Sequence, residues 1–143
     1  MSSMPAHDLQ RLPRLLLIED NLLLAEATAE FLRDAGLEVQ IAESGEEALR
    51  TALLFRPDIV LCDMRLPDMS GLDVTKTLRA TPVTRNALLV VHTAMSDADL
   101  RVLEREMGKD QVNLFLSKPL TEEKLDQMFR ARDSLQKSVG SQS

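Results

Sequence analysis

The chain has 143 residues, 44% of them hydrophobic and 28% charged, the make-up of one soluble globular domain large enough to bury a core. A net charge of −6, with four Phe and neither Tyr nor Trp, excludes a nucleic-acid binder that relies on phosphate contacts and base stacking. The single cysteine excludes a disulfide framework or a multi-cysteine metal cluster, and no apolar run approaches the ~20 residues that span a bilayer.

The start, MSSMPAHDLQRLPR, has no apolar signal stretch, so the expected location is the cytoplasm, without membrane contact. Residues 1–12 are polar and aperiodic and are expected to form a flexible tail; 138–143, small and polar, are expected to form another, leaving 13–137 as one domain. Leu15–Ile18 is a short, wholly apolar run, which predicts a strand covered on both faces. Asn21 then caps a helix through Phe31 and Leu32 that Gly36 ends as a left-handed residue. Glu38–Ala42 alternates in polarity and suits an edge strand. Ser44 and Glu47 form a capping box before a helix carrying Ala48, Leu49 and Leu53. Ile59–Cys62 predicts a second buried strand, with Cys62 as a core residue, and ends on Asp63. Ser70 caps the third helix. Ala87–Val91 is a third buried strand, followed by His92, read as an ordinary strand residue, and Thr93. Ser96 opens a fourth helix ending near Gly108. Val112–Leu116 forms the other edge strand, and Thr121 opens a last helix whose Leu125, Met128 and Phe129 pack on the core.

Strand and helix alternate five times, which predicts an α/β fold: a doubly wound, five-stranded parallel sheet of order 2-1-3-4-5, with about five helices on both faces. In such sheets ligands bind at the carboxyl ends of the strands, near the switch point between strands 1 and 3. That edge collects Glu19 and Asp20 after strand 1, Asp63 after strand 3, Thr93 after strand 4 and Lys118 after strand 5. Taken singly, each reads as a turn, cap or solvated loop residue. Together they bring three carboxylates within range of one another, an arrangement that costs energy unless a cation intervenes. Mg2+ suits it best, because it takes one or two carboxylates and keeps waters that a phosphate can replace. A metal, an ammonium and a hydroxyl around one carboxylate form a site fit for phosphoryl transfer.

Four motifs, Glu19-Asp20, Asp63-Met64-Arg65-Leu66-Pro67-Asp68-Met69-Ser70-Gly71, Thr93-Ala94 and Lys118-Pro119, occur in this order on these strand ends. In this the chain resembles the receiver domain of two-component response regulators, a flavodoxin-like phosphoacceptor domain, over roughly residues 13–137. The resemblance implies that Asp63 takes a phosphoryl group from a phosphohistidine on a sensor histidine kinase or histidine phosphotransfer protein. It implies Mg2+ held by Asp20, Asp63 and the backbone carbonyl of Arg65, with Glu19 acting through a metal-bound water. Lys118 pairs with Asp63 and then with the phosphoryl group, Thr93 turns its hydroxyl onto a phosphoryl oxygen, and Phe115 is the switch aromatic that follows inward. Pro67 stiffens the acceptor loop, Gly71 admits a turn that a Cβ would hinder, and Ala94 keeps the approach open. Arg65 and Met95 stand where receivers tune their own hydrolysis, and both are expected to hinder the attacking water.

The resemblance further implies an output through helix 4, strand 5 and helix 5, residues 97–137, to a downstream effector that the sequence does not identify. A homodimer through that face is left open; no residue argues for one. The chain is read as a signalling phosphoacceptor in a phosphorelay, not an enzyme on a separate substrate. An aspartyl-phosphate hydrolase needs a second acid two residues after the nucleophile, where Arg65 stands. The alternative is a degenerate receiver acting as a phosphorylation-independent binding module. No effector segment follows helix 5, so the chain is either a stand-alone receiver or a piece of a larger regulator or hybrid kinase.

Overall fold

The computed structural model describes residues 11–107 and 110–142. Most of the expected amino-terminal tail, the fourth helix's expected end at Gly108, and Ser143 lie outside the described residues.

Five parallel strands, β1 (Arg14–Ile18), β2 (Glu38–Ala42), β3 (Ile59–Asp63), β4 (Leu88–Thr93) and β5 (Leu114–Ser117), form one sheet in the order β2-β1-β3-β4-β5. Between and after them run α1 (Leu22–Asp34), α2 (Gly45–Phe55), α3 (Gly71–Ala80), α4 (Asp97–Met107) and α5 (Glu122–Gln142). Every residue of β4 is buried, as are Ile59–Cys62 of β3, whereas β2 alternates as a half-covered edge strand should. β5 begins at Leu114, two residues after the apolar run starts, because Asn113 spends its side chain on the backbone N–H of Leu89 at 2.8 Å.

Helix starts follow the caps the sequence offers. Asn21, Ser44, Ser70, Ser96 and Thr121 each accept a backbone N–H from three residues on, at 3.1 to 3.2 Å. The Glu47 carboxylate reaches back to the N–H of Glu43, one residue before the cap, so the box is closed one position early. Gly36 leaves α1 at φ +97°, a conformation that a side chain would strain. α5 continues through 138–142, where the sequence suggested a loose tail.

Alternate strand residues serve two cores. Leu15, Leu17, Ile59, Leu61 and Val90 pack against Ala25, Ala29 and Leu32 of α1 and Leu125 and Met128 of α5. Leu16, Ile18, Val60, Cys62 and Leu89 pack against Ala48 and Ala52 of α2 and Val74 and Leu78 of α3. A smaller third cluster, Val91, Leu100, Val112 and Phe115, fastens α4 and is ringed by Met64, Met95 and Met107. Among the described residues no helix is long and apolar enough to cross a membrane.

Candidate functional site

Strand register determines what meets at the carboxyl edge. Ile18 pairs with Cys62, Asp63 with His92, and Thr93 with Ser117, so the residues following β1, β3, β4 and β5 emerge side by side. Carboxylate oxygens of Glu19, Asp20 and Asp63 come within 4.8 Å of one another. Glu19 is buried, Asp63 half-buried and Asp20 exposed.

Lys118 lies among them. Its Nζ donates to Glu19 Oε1 at 2.5 Å and to Asp63 Oδ2 at 3.1 Å. Burial disfavours the ammonium, but the hydrogen bond to Glu19 and the charge and hydrogen bond of Asp63 outweigh it, and the lysine pKa is raised. The other Glu19 oxygen accepts the N–H of Asn21 at 3.1 Å, which ties the acid pair to the start of α1. Three carboxylates against one ammonium leave two negative charges in a part-buried corner. A hard divalent cation with oxygen ligands fits that deficit and that donor set.

Lys118 is placed by its neighbours. Its N–H donates to the Thr93 carbonyl at 2.7 Å, and the Lys118-Pro119 peptide is cis. From α5, Lys124 Nζ donates to the carbonyls of Ser117 (2.7 Å) and Pro119 (3.1 Å) and clamps the loop. Thr93 is 6% exposed at the end of β4, beside this loop. Arg65 points its N–H at Asp63 Oδ1 from 3.4 Å and forms a bridge with Ser70, which closes the loop after β3 into a hairpin-like turn. Phe115 faces α4 and is already buried against Val91, Leu100 and Val112.

Gly71 explains itself by proximity. Its N–H donates to Met64 O at 2.7 Å, and a Cβ there would run into the backbone carbonyl of Asp63. Only glycine lets α3 start directly beneath Asp63.

Some participants were not legible in the sequence. Asp68 leaves the loop after β3 and accepts the N–H groups of Gly45 (2.8 Å) and Glu46 (2.9 Å) at the start of α2, which holds its carboxyl below the usual range. Its partners lie more than twenty positions upstream, so no local pattern announces the contact. His92 is 4% exposed and its Nε2 has no hydrogen-bond partner among the described residues. Burial, reinforced by the Lys118 charge, pushes its pKa down to about 4, leaving it a neutral core residue. Cys62 is buried too; burial first, then the Asp63 and Glu19 charges, push its thiol pKa up and leave it inert.

Residues 15–130 match the response regulator receiver domain family. Among curated relatives, the DNA-binding response regulator MtrA of Mycobacterium tuberculosis is 35% identical over 119 residues, covering 83% of this chain and 50% of its own length. The cell cycle transcriptional regulator CtrA of Caulobacter vibrioides is 31% identical over 112 residues, covering 78% of this chain and 46% of its own. The chain thus spans about half the length of these relatives. Among solved structures it is similar to the receiver domain of sensor histidine kinase PA1611 from Pseudomonas aeruginosa PAO1, which has a magnesium ion coordinated in its active-site cleft. That match has a TM-score of 0.73 at 28% identity and covers 86% of this chain and 99% of the other. Family match, sheet order and site geometry agree: this chain belongs to the receiver domains of two-component response regulators, which are signalling phosphoacceptors.

Proposed function

We propose that Asp63 is the residue of this chain that accepts the phosphoryl group, and that 13–137 is the receiver unit. The observation that carries the reading is the Lys118 ammonium 3.1 Å from Asp63 Oδ2, with Glu19 and Asp20 oxygens close by. In the proposed step an Asp63 carboxylate oxygen forms a bond to phosphorus as the bond from phosphorus to an imidazole nitrogen of a phosphohistidine donor breaks. The donor imidazole departs with the bonding electron pair and takes up a proton from water. Lys118 then moves its contact from the carboxylate to a phosphoryl oxygen, and Thr93 donates its hydroxyl to another. Asp20, Asp63 and the Arg65 carbonyl would hold Mg2+, with Glu19 behind a water. When bound, the ion neutralises charge that builds on the phosphoryl oxygens. Catalysis is confined to the chain's own phosphorylation and dephosphorylation, and Arg65 and Met95 hinder the water that ends the phosphorylated state.

The phosphodonor is a histidine kinase or histidine phosphotransfer protein, met in the cytoplasm. Leu22, Leu23 and Leu24 are 50%, 85% and 36% exposed right after the acid pair. Beside them an apolar groove of about 290 Å³ runs between α1 and the loop after β5, lined by Leu24, Phe31, Pro119 and Leu120. An exposed apolar patch beside the acceptor suits a donor helix. Output runs through α4, β5 and α5 to an effector. Contraction of the Thr93 loop on phosphoryl binding shifts α4, which rests on the smallest core cluster, with Phe115 as its keystone.

The acceptor assignment is tested by treating the chain with acetyl phosphate and Mg2+, then reducing with borohydride, which converts an aspartyl phosphate to homoserine. Homoserine at position 63 alone is expected. Homoserine at another aspartate, or nowhere, overturns the assignment.

A further inference from the structure

The lysine in the first turn of α5 breaks a local rule. Thr121 caps this helix, its Oγ1 accepting the Lys124 N–H at 3.2 Å, so Lys124 holds the third helical position. Glu or Gln completes a capping box at that position, and a cation near a helix amino end opposes the helix dipole. Glu122 and Glu123 in the same turn follow the dipole; Lys124 does not. Its side chain runs back to the loop after β5 instead. There Nζ donates to Ser117 O at 2.7 Å, Ser117 Oγ at 3.0 Å and Pro119 O at 3.1 Å. An ammonium has three N–H donors, and these three oxygens take them.

Those oxygens bracket Lys118, with Ser117 before it and Pro119 after. The backbone itself gives this loop few ties. β5 is the last strand of the sheet, and its ladder with β4 uses the Lys118 N–H, donated to Thr93 O at 2.7 Å. Alternation along the strand then turns the Ser117 carbonyl outward, away from β4. Pro119 has no N–H to give. Lys124 supplies the donors that the backbone lacks, and so fixes the peptide units from which the Lys118 side chain reaches Glu19 and Asp63. Both contacts to Ser117 are part-buried, where water competes poorly for the same oxygens.

On the reading of Asp63 as acceptor and Lys118 as its cation, on which this rests, we propose that Lys124 is a positioning residue for phosphoryl transfer. It acts through Lys118, by holding the Ser117 and Pro119 peptides so that the Lys118 ammonium stays on Asp63 and Glu19. Its removal has two consequences of opposite sign. The Lys118 ammonium spreads over more positions, and Asp63 is less often in the arrangement that transfers. The carboxylates meet less competition from that ammonium, and Mg2+ binds them more tightly. A lysine that only braced the fold would leave the carboxylates looser as well, and Mg2+ would bind more weakly.

Wild type, Lys124→Met, Lys118→Met and the double variant test this, each checked for folding by far-UV circular dichroism. Methionine keeps the apolar stem of either lysine. Intact mass followed over time with acetyl phosphate and Mg2+ should show Lys124→Met gaining the phosphoryl group roughly tenfold more slowly, the scale of a misplaced rather than a missing cation. Isothermal titration calorimetry should show Lys124→Met binding Mg2+ about threefold more tightly than wild type. The double variant should bind it no more tightly than Lys118→Met, because the group that Lys124 acts through is already gone. An unchanged phosphorylation rate in Lys124→Met overturns the proposal. So does Mg2+ binding that is unchanged or weaker in Lys124→Met, or a double variant that departs from Lys118→Met as far as Lys124→Met departs from wild type. A wild type that gains no phosphoryl group, or a Lys118→Met that gains it as fast as wild type, overturns the roles of Asp63 and Lys118 themselves, and the role of Lys124 with them.

Discussion

The Lys118 ammonium stands 3.1 Å from Asp63 Oδ2 because the backbone N–H of the same lysine is tied to the Thr93 carbonyl at 2.7 Å. Three strand ends thereby set one distance. Lys118→Met removes the cation while keeping the length of the side chain. Phosphoryl acceptance from acetyl phosphate should fall by at least ~100-fold, the scale of losing one positioned charge in a transfer site. Mg2+ should bind more tightly, since the carboxylates lose their competing partner; isothermal titration calorimetry reads that increase.

Gly71→Ala places a methyl group against the Asp63 carbonyl. The start of α3 must retreat from Asp63. Unfolding free energy should drop by roughly 1–3 kcal/mol, the range for overpacking, in chemical denaturation. Phosphorylation of the proposed acceptor should slow as well, because the helix start fixes the Asp63 backbone.

His92 gives a pH signature with a definite sign. Folded, its pKa is about 4; unfolded, it returns to 6.5. Between those values the unfolded chain binds the extra proton, so stability is full above pH 6.5 and is lost as pH falls toward 4. The loss attributable to this group approaches ~3 kcal/mol at the acid end. His92→Leu should flatten the curve across that window relative to wild type, measured by urea denaturation at successive pH values.

Arg79 is a second hub, away from Asp63. Its guanidinium donates to the carbonyls of Arg85, Ala87 and Gln111 and to Asn113 Oδ1, at 2.7 to 3.2 Å, joining α3 to the turns before β4 and β5. Arg79→Met should destabilise the fold by roughly 1–3 kcal/mol, as three part-buried acceptors and one exposed one lose their donor. Thermal unfolding measures the loss, and phosphoryl acceptance by the folded fraction should be unchanged.

Asp68→Ala should expose the first amides of α2. Faster hydrogen exchange at Gly45 and Glu46, with exchange in α5 unaffected, is the expected pattern. Asp68→Asn, which keeps an acceptor oxygen, should exchange at an intermediate rate.

The sheet and its order were readable because buried strands must be apolar throughout, as Leu15–Ile18 and Ile59–Cys62 are, and because cap residues such as Ser70 announce helix starts within four positions. The cluster of Glu19, Asp20 and Asp63 was readable for a topological reason. Once the order is set, residues following adjacent strands must meet. Contacts set by three-dimensional reach were not. Glu19 bonds Lys118 directly, a pairing of residues 99 positions apart that competes with its expected role behind a water. Asp68 on α2, Arg79 across two loops and Lys124 beneath Pro119 are likewise side chains whose partners no periodicity encodes. The continuation of α5 past residue 137 is backbone helix through small polar residues, whose composition reads equally as a tail.

The most direct test of the central claim is intact-mass spectrometry after incubation with acetyl phosphate, with and without Mg2+, alongside Asp63→Asn. A gain of one phosphoryl group that requires Mg2+ and vanishes in the variant is predicted. No gain in the wild type, together with absence of Mg2+ binding, would contradict it and leave a receiver fold that binds its partners without phosphorylation.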